Sequence, residues 1–298
     1  MLDWNTPKLS DKEWIEKCVK ESLYIGSDAA FANIYLLRSK YNIKVTYYKD
    51  LLIRYYEGLG NRKGYTFPLG RKDVLSALYA IEQDAKEMNR PLEFCFVTEE
   101  QKEILENTFA GRTESSSDAG DYDYIYGQPE LSLLSGRTYH KKKNHVSKFK
   151  RTYEDYMFCE IGNGNLDDVM LIEDEWYYDR LQQDDTSAMK EYEAIREAVD
   201  NFEELSLSGG IIYANNVPVA MTIASYINDA AVDIHFEKAV GEYAVNGGFA
   251  AINQMYASTL KDVKFINREE DINIPGLRKA KESYHPKFML KKYGVRVK

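Results

Sequence analysis

The sequence is poor in cysteine, with three in 298 residues (Cys18, Cys95 and Cys159), and poor in proline, with seven. The cysteines are odd in number and far apart. That pattern excludes a disulfide framework and a cysteine-rich metal cluster, and leaves reduced packing residues. No Cys/His arrangement for nucleophilic catalysis is visible. The four histidines (His140, His145, His235, His285) stand at no metal-ligand spacing, so no metal is expected. No apolar run approaches the roughly 18 residues needed to cross a bilayer. The opening MLDWNTPKLSDKEW has neither a basic n-region nor an apolar h-region, so no secretory leader is expected and the expected location is the cytoplasm. Positive charge is in the minority, and the net charge is −9 at pH 7. This disfavours general binding to nucleic acid or anionic membrane, because phosphate affinity comes from clustered Lys and Arg.

What is present is a globular composition, 44% hydrophobic and 29% charged, with 24 tyrosines against 12 phenylalanines. Tyrosine suits half-buried walls, where the ring packs and the hydroxyl finds a polar partner. Charge is spread unevenly. Residues 154–204 are acidic (Glu173, Asp174, Glu175, Asp184, Asp185, Glu203, Glu204), while 137–151 and 278–298 are basic. An anionic ligand is therefore decided by local patches and not by net charge.

Periodicity predicts helices over 10–20 and 29–38, paired strands over 44–48 and 51–56, a glycine-marked loop at 58–64, a helix over 71–87, a strand over 92–97 and a helix over 99–108. The stretch GRTESSSDAG (111–120) reads as a linker, followed by a strand over 122–126. On a helical wheel over 136–153, Tyr139, Val146, Phe149 and Tyr153 fall on one side, and Arg137, Lys141, Asn144, Lys148 and Arg151 on the other. This basic amphipathic helix is either a solvated face or a wall that attracts phosphate. Helices over 165–180 and 188–201 precede a meander of strands over 205–214, 217–227 and 230–236. A strand over 263–266 and a short helix from Pro275 complete the reading.

Three constellations carry chemistry. AVDIHFEK (231–238) reads as a strand with Asp233, His235 and Glu237 on one face and Ile234 and Phe236 on the other, while Lys238 either points with the apolar set or leaves the strand end. Such a row can supply a general base. VNGG (245–248) opens a helix to about residue 260, and the free N–H groups near Asn246, Gly247 and Gly248 either bind phosphate or form a plain strand–helix turn. FINREEDINIPGLRKAKESYHP (265–286) is a dense charged run, in which Asn267, Arg268, Glu269, Arg278, Lys281 and Tyr284 either hold an anionic substrate or pair among themselves.

LSGRTYHKKKNHVSKF (134–149), HFEK (235–238) with Ile252-Asn253 downstream, and NREED…PGLRKAKESYHP (267–286) together resemble the phosphatidylglycerol lysyltransferase C-terminal domain family. The likeness runs from FANIY (31–35) to the C-terminus. It implies an α/β chain of two tandem GNAT-like (acyltransferase-fold) domains, each with a mixed, mostly antiparallel sheet flanked by helices, with a cleft between them. The expected division is 1–135 and 136–298, the helix over 136–153 bridging the halves. Family members fused to a membrane domain transfer an amino acid from aminoacyl-tRNA to a lipid headgroup; this chain is expected among the stand-alone soluble members. By resemblance Asp233 matches an acceptor-side strand aspartate and Lys281 a lysine before the aromatic-x-Pro of the tail, whereas Phe236 or Lys238 stands where those enzymes place an arginine. The expected activity is transfer of an aminoacyl or other activated acyl group to an amine or hydroxyl. Asp233 or Glu237 would take the proton, and Lys281 or Arg278 would stabilise the oxyanion. Arg137, Lys141, Lys148, Asn246, Gly247 and Gly248 would hold donor phosphates, and His235, Lys238, Asn267, Arg268, Glu269 and Tyr284 would line the substrate. No permanently bound cofactor is expected; aminoacyl-tRNA or acyl-CoA would be the donor, and a small molecule or peptide the acceptor. Rival readings are coenzyme A-dependent N-acetyl transfer, weakened by the missing Arg/Gln-x-x-Gly-x-Gly/Ala signature, and a non-catalytic binding protein for a small anion or peptide.

Overall fold

The computed structural model describes residues 2–182 and 188–298; Asp184 and Asp185 of the acidic stretch lie outside the described residues. The chain opens with two helices, α1 (Lys12–Ser22) and α2 (Phe31–Leu36). In α1, Ile15, Cys18 and Val19 fall at helical spacing and are buried, and Leu23 ends the helix in a left-handed conformation. Strands β1 (Lys44–Tyr48), β2 (Leu51–Glu57) and β3 (Lys63–Thr66) follow, then α3 (Leu75–Glu87), β4 (Leu92–Val97), α4 (Glu99–Thr108) and β5 (Thr113–Ser117). A reciprocal Thr98–Gln101 capping box starts α4. Strand β6 (Asp123–Gly127) leads through α5 (Gln128–Leu133) to the basic helix α6 (His140–Thr152). Next come β7 (Met157–Glu160), α7 (Leu166–Leu181), α8 (Ala188–Asp200), β8 (Ser208–Ala214), β9 (Val217–Asn228) and β10 (Ala231–Ala239). The chain closes with α9 (Gly241–Val245), α10 (Gly248–Thr259), β11 (Phe265–Asn267), α11 (Pro275–Glu282), β12 (Phe288–Leu290) and β13 (Tyr293–Val297).

These strands form two mixed, mostly antiparallel sheets flanked by helices, the architecture expected of the two-sheet fold. One is six-stranded, in the order β1-β2-β3-β4-β13-β5; the other is seven-stranded, β12-β6-β11-β10-β9-β8-β7. The sheets do not divide at residue 135. β6 and α5 go with the second sheet, and the C-terminal β13 returns to the first, between β4 and β5. The 111–120 stretch is no linker: its TESSS segment is the exposed edge strand β5, which pairs antiparallel with β13. Sequence shows no alternation there because neither face of this strand packs on a core. β3 likewise lies inside the 58–64 loop region and beyond it, paired to β2 and β4.

The largest core cluster joins the two sheets. It gathers Ile15, Phe31 and Ile34 from α1 and α2, Leu52 and Tyr56 from β2, and Met221, Ile223 and Ala231 from β9 and β10. α1 and α2 are thus a shared layer between the halves. β2 is buried on both faces for the same reason: Leu51, Ile53 and Tyr55 face a second cluster under α3, while Leu52 and Tyr56 face the seam.

A buried ion network also crosses the seam. Lys292 Nζ lies 2.7 Å from Asp123 Oδ1, 3.1 Å from Asp28 Oδ1 and 3.2 Å from Ser27 Oγ. Arg54 reaches Asp28 Oδ2 at 2.9 Å, and Asn267 donates to Asp123 Oδ2 at 2.8 Å. Burial works against each charge, but Asp123 and Asp28 outweigh it for Lys292, whose pKa stands well above the usual lysine value. Burial likewise opposes ionised Asp28, and Lys292 and Arg54 overcome it. Replacing Lys292 with methionine keeps the stem and leaves two carboxylates facing one another. We expect Lys292→Met to lower unfolding free energy by about 3–5 kcal/mol in urea titration; a change below about 1 kcal/mol would mean the network contributes little.

Candidate functional site

Strand β10 carries the site, and a bulge decides where its side chains go. It pairs with β9 through Asp233↔Ser225 and Ile234↔Ala224, then Phe236↔Ile223 and Glu237↔Thr222, so His235 is the extra residue. A bulge re-aims every following side chain. The expectation of Asp233, His235 and Glu237 in one row is therefore corrected. Asp233 and His235 face the seam with α1 and α2. Glu237 points to the opposite face, where Asn253 of α10 donates to its Oε2 at 3.0 Å. Phe236 and Lys238 share the seam-side face as expected, but Ile234 does not; it packs with Tyr256 and Leu260 under α10.

The first group of side chains is Asp233, His235 and Glu269. Asn33, from α2, donates to Asp233 Oδ2 at 2.9 Å and to Glu269 Oε1 at 3.0 Å. His235 Nε2 and Ser225 Oγ are 2.8 Å apart. The other ring nitrogen, Nδ1, lies 3.4 Å from Asp233 Oδ2 and 3.8 Å from Glu269 Oε1. Both His235 Nδ1 and Asp233 Oδ1 are buried without a hydrogen-bond partner. Burial, and after it the Glu269 carboxylate, pushes the Asp233 pKa well above the usual carboxylate range. Glu269 sits at φ +55°, held there by its N–H bonding to Asn267 Oδ1 at 2.8 Å. Asn267 is therefore a positioning residue between this group and the Lys292 network.

The second group lies on the other face. Arg268 Nη2 binds Glu237 Oε1 at 2.7 Å, its guanidinium is 4.7 Å from the Tyr284 ring centre, and its Nη1 is buried without a partner. Lys142 of α6 lies 3.7 Å from the same Tyr284 ring. Burial first, then the nearby Arg268, lowers the Lys142 pKa to about 8, against a smaller opposing pull from Glu237. Lys142 was legible only as a gap: it falls between Tyr139 and Val146 at the 3–4 spacing of the apolar stripe.

The remaining expected residues are elsewhere. Arg137, Lys141 and Lys148 are exposed on the outer face of the α6 segment. Asn246, Gly247 and Gly248 precede or open α10, where α9 and α6 crowd them. Gly247 has φ +103°, and a Cβ there would meet His145 O at 2.4 Å, so close packing accounts for this glycine. Asn246 donates to Tyr153 OH at 2.8 Å. Arg278 is a partly exposed partner of buried Asp271, bonded through two nitrogens at 2.8 Å each. Lys281 donates to the carbonyls of Arg268 and Glu270, both at 2.5 Å, and burial lowers its pKa. It braces the loop that presents Arg268 and Glu269.

Lys238 belongs to a third group, 3.0 Å from the Trp176 ring centre and 2.7 Å from Glu191 Oε1, with Glu173 Oε2 at 4.0 Å. Both Glu173 oxygens are buried without hydrogen bonds, and burial raises its pKa to about 7, Lys238 opposing. The folded chain therefore holds this proton where the unfolded chain has released it. The stability from this group is full below the usual glutamate value and is lost as pH rises through 7. Glu173→Gln should leave stability near pH 4.5 almost unchanged and raise it at pH 8 by up to about 3 kcal/mol in denaturant titrations; equal stability of the two proteins at pH 8 would contradict it.

Among the described residues, no helix is long and apolar enough to cross a membrane. A search of curated proteins finds no match. Among solved structures, a Bacteroides thetaiotaomicron protein of unknown function is 30% identical, with full coverage of both chains and a TM-score of 0.94. L-PGS from Bacillus licheniformis is 15% identical over 96% of this chain and 92% of its own, with a TM-score of 0.67, a likeness of fold. The family model described as phosphatidylglycerol lysyltransferase, C-terminal, matches residues 21–296, and the chain belongs to that family.

Proposed function

We propose that the chain transfers an aminoacyl group from aminoacyl-tRNA, or another activated acyl group, to an amine or hydroxyl acceptor. The observation that carries this reading is a notch in the second sheet. β10 and β11 run parallel and pair only as far as Asp233↔Asn267, while β10 continues to Ala239. Beyond Asp233 the edge of β10 that faced β11 has lost its strand partner. Side chains from both faces collect there: Asp233, His235 and Glu269 toward the seam, Glu237, Arg268, Tyr284 and Lys142 toward α6 and α10.

A reaction of this class needs orientation of two substrates, a proton acceptor and a cation for the developing oxyanion, with no covalent intermediate on the enzyme. Asp233 is the proton acceptor in this account, with its Oδ1 unpartnered. Arg268 is the oxyanion or carboxylate partner, since its Nη1 is unpartnered. This moves the electrostatic role from Lys281 and Arg278, which are engaged by the loop and by Asp271, to Arg268 and Lys142. The exposed basic face of α6 remains the candidate contact for donor phosphates.

The test is transfer from a panel of charged tRNAs and acyl-CoAs to amine and hydroxyl acceptors. Asp233→Asn, which keeps shape, should lower the rate by about 10²–10⁴, and Arg268→Gln by about 10². Full activity in Asp233→Asn, or no transfer from any donor by the wild-type chain, would overturn the reading.

A further inference from the structure

We infer that Asp233, His235 and Glu269 form a binding site for one divalent transition-metal ion of the zinc or manganese type. Linear spacing hid this set, since Glu269 comes from the loop after β11 and the other two from β10. Among the described residues they are the group whose side chains offer one ligand atom each, all within 4.8 Å of one another. Ligand atoms about 2.1 Å from a tetrahedral ion lie about 3.4 Å apart. The separations from His235 Nδ1, 3.4 Å to Asp233 Oδ2 and 3.8 Å to Glu269 Oε1, are close to that span.

Two features argue for a ligand and against a merely acidic cluster. The side chains of Asp233 and His235 are 0% and 1% exposed, and Asp233 Oδ1 and His235 Nδ1 have no hydrogen-bond partner. Leaving such atoms unsatisfied costs about 1–3 kcal/mol each, which a coordinated ion offsets. The hydrogen bonding around the group also suits coordination. With Nε2–H donating to Ser225 Oγ, the imidazole keeps its Nδ1 lone pair for an ion. Asn33 Nδ2 draws the two carboxylates together through these same oxygens, Asp233 Oδ2 and Glu269 Oε1, each of which keeps a further lone pair for an ion. Ligating histidines and carboxylates are commonly held by partners of this kind. One imidazole and two carboxylates favour zinc, manganese or ferrous iron over calcium, which takes six or more oxygens. The inference goes beyond acyl transfer and stands without it, because its readout is binding.

The experiment uses the full chain, stripped with chelator and free of any histidine tag, titrated calorimetrically with zinc and with manganese. One ion per chain should bind, with a rise in melting temperature. Glu269→Gln, at a half-buried position, should weaken binding at least tenfold while the metal-free melt stays near wild type. Ser225→Ala, which loosens the imidazole, should weaken it by about tenfold or more. His235→Ala should remove it. Should His235→Ala fail to fold, the Glu269 and Ser225 variants decide. No binding of either metal tighter than about 100 µM, or wild-type affinity in Glu269→Gln and Ser225→Ala, would overturn the site.

Discussion

A lysine ammonium taken wholly out of water is tolerated only where carboxylates surround it closely, and Lys292 is placed in that way between Asp28 and Asp123. The three groups come from distant parts of the chain: the segment before α2, the first residue of β6 and the segment before β13. Their meeting fixes the seam between the sheets. Asp123 also receives Asn267, and Asn267 holds the backbone of Glu269. Asn33, in the first turn of α2, reaches across the seam to Asp233 and Glu269. The geometry of the site is therefore set by the ion network and by the helix layer lying against it, and not by β10 alone.

The bulge at His235 is the second constraint. Without it, Asp233, His235 and Glu237 would crowd one face, three ionisable groups with little to neutralise them. The extra residue sends Glu237 to Arg268 and Asn253, and leaves Asp233 and His235 facing Glu269 and Asn33. One strand thus serves two chemically different groups of side chains, an acidic one at the seam and a cationic one beside α6. Bulges recur beside active sites for this reason.

Much of the fold was legible because its signals are local. The periodicity of α1, α3 and α8, the close succession of the meander strands and the apolar runs of β4 and β9 all report nearest-neighbour geometry. What could not be read was long-range pairing. β5 is polar and β13 lies almost two hundred residues away, yet they are partners. The same limit applied to the site. Asp233, His235, Arg268, Glu269 and Tyr284 were visible as charged or aromatic residues in suggestive segments. Their grouping was not, because a one-residue bulge leaves no mark in hydropathy. Lys142 and Lys292 were hidden for a related reason: a lysine's residue type speaks for solvent, and only the surrounding carboxylates or rings make burial tolerable. Lys281 was visible as a lysine in a charged run, but the two loop carbonyls that its ammonium meets were not.

The account rests on the two sheets being one cooperative body, joined by a shared core and a buried ion network. The direct measurement is equilibrium unfolding in urea followed by two probes, tryptophan fluorescence and far-ultraviolet circular dichroism. Trp4 reports from the core of the first sheet and Trp176 from α7 beside the second, so single-tryptophan variants separate the halves. The account predicts one transition, with coincident midpoints for both tryptophans and for the backbone signal. Two transitions, with one sheet retaining native signal after the other has unfolded, would contradict it.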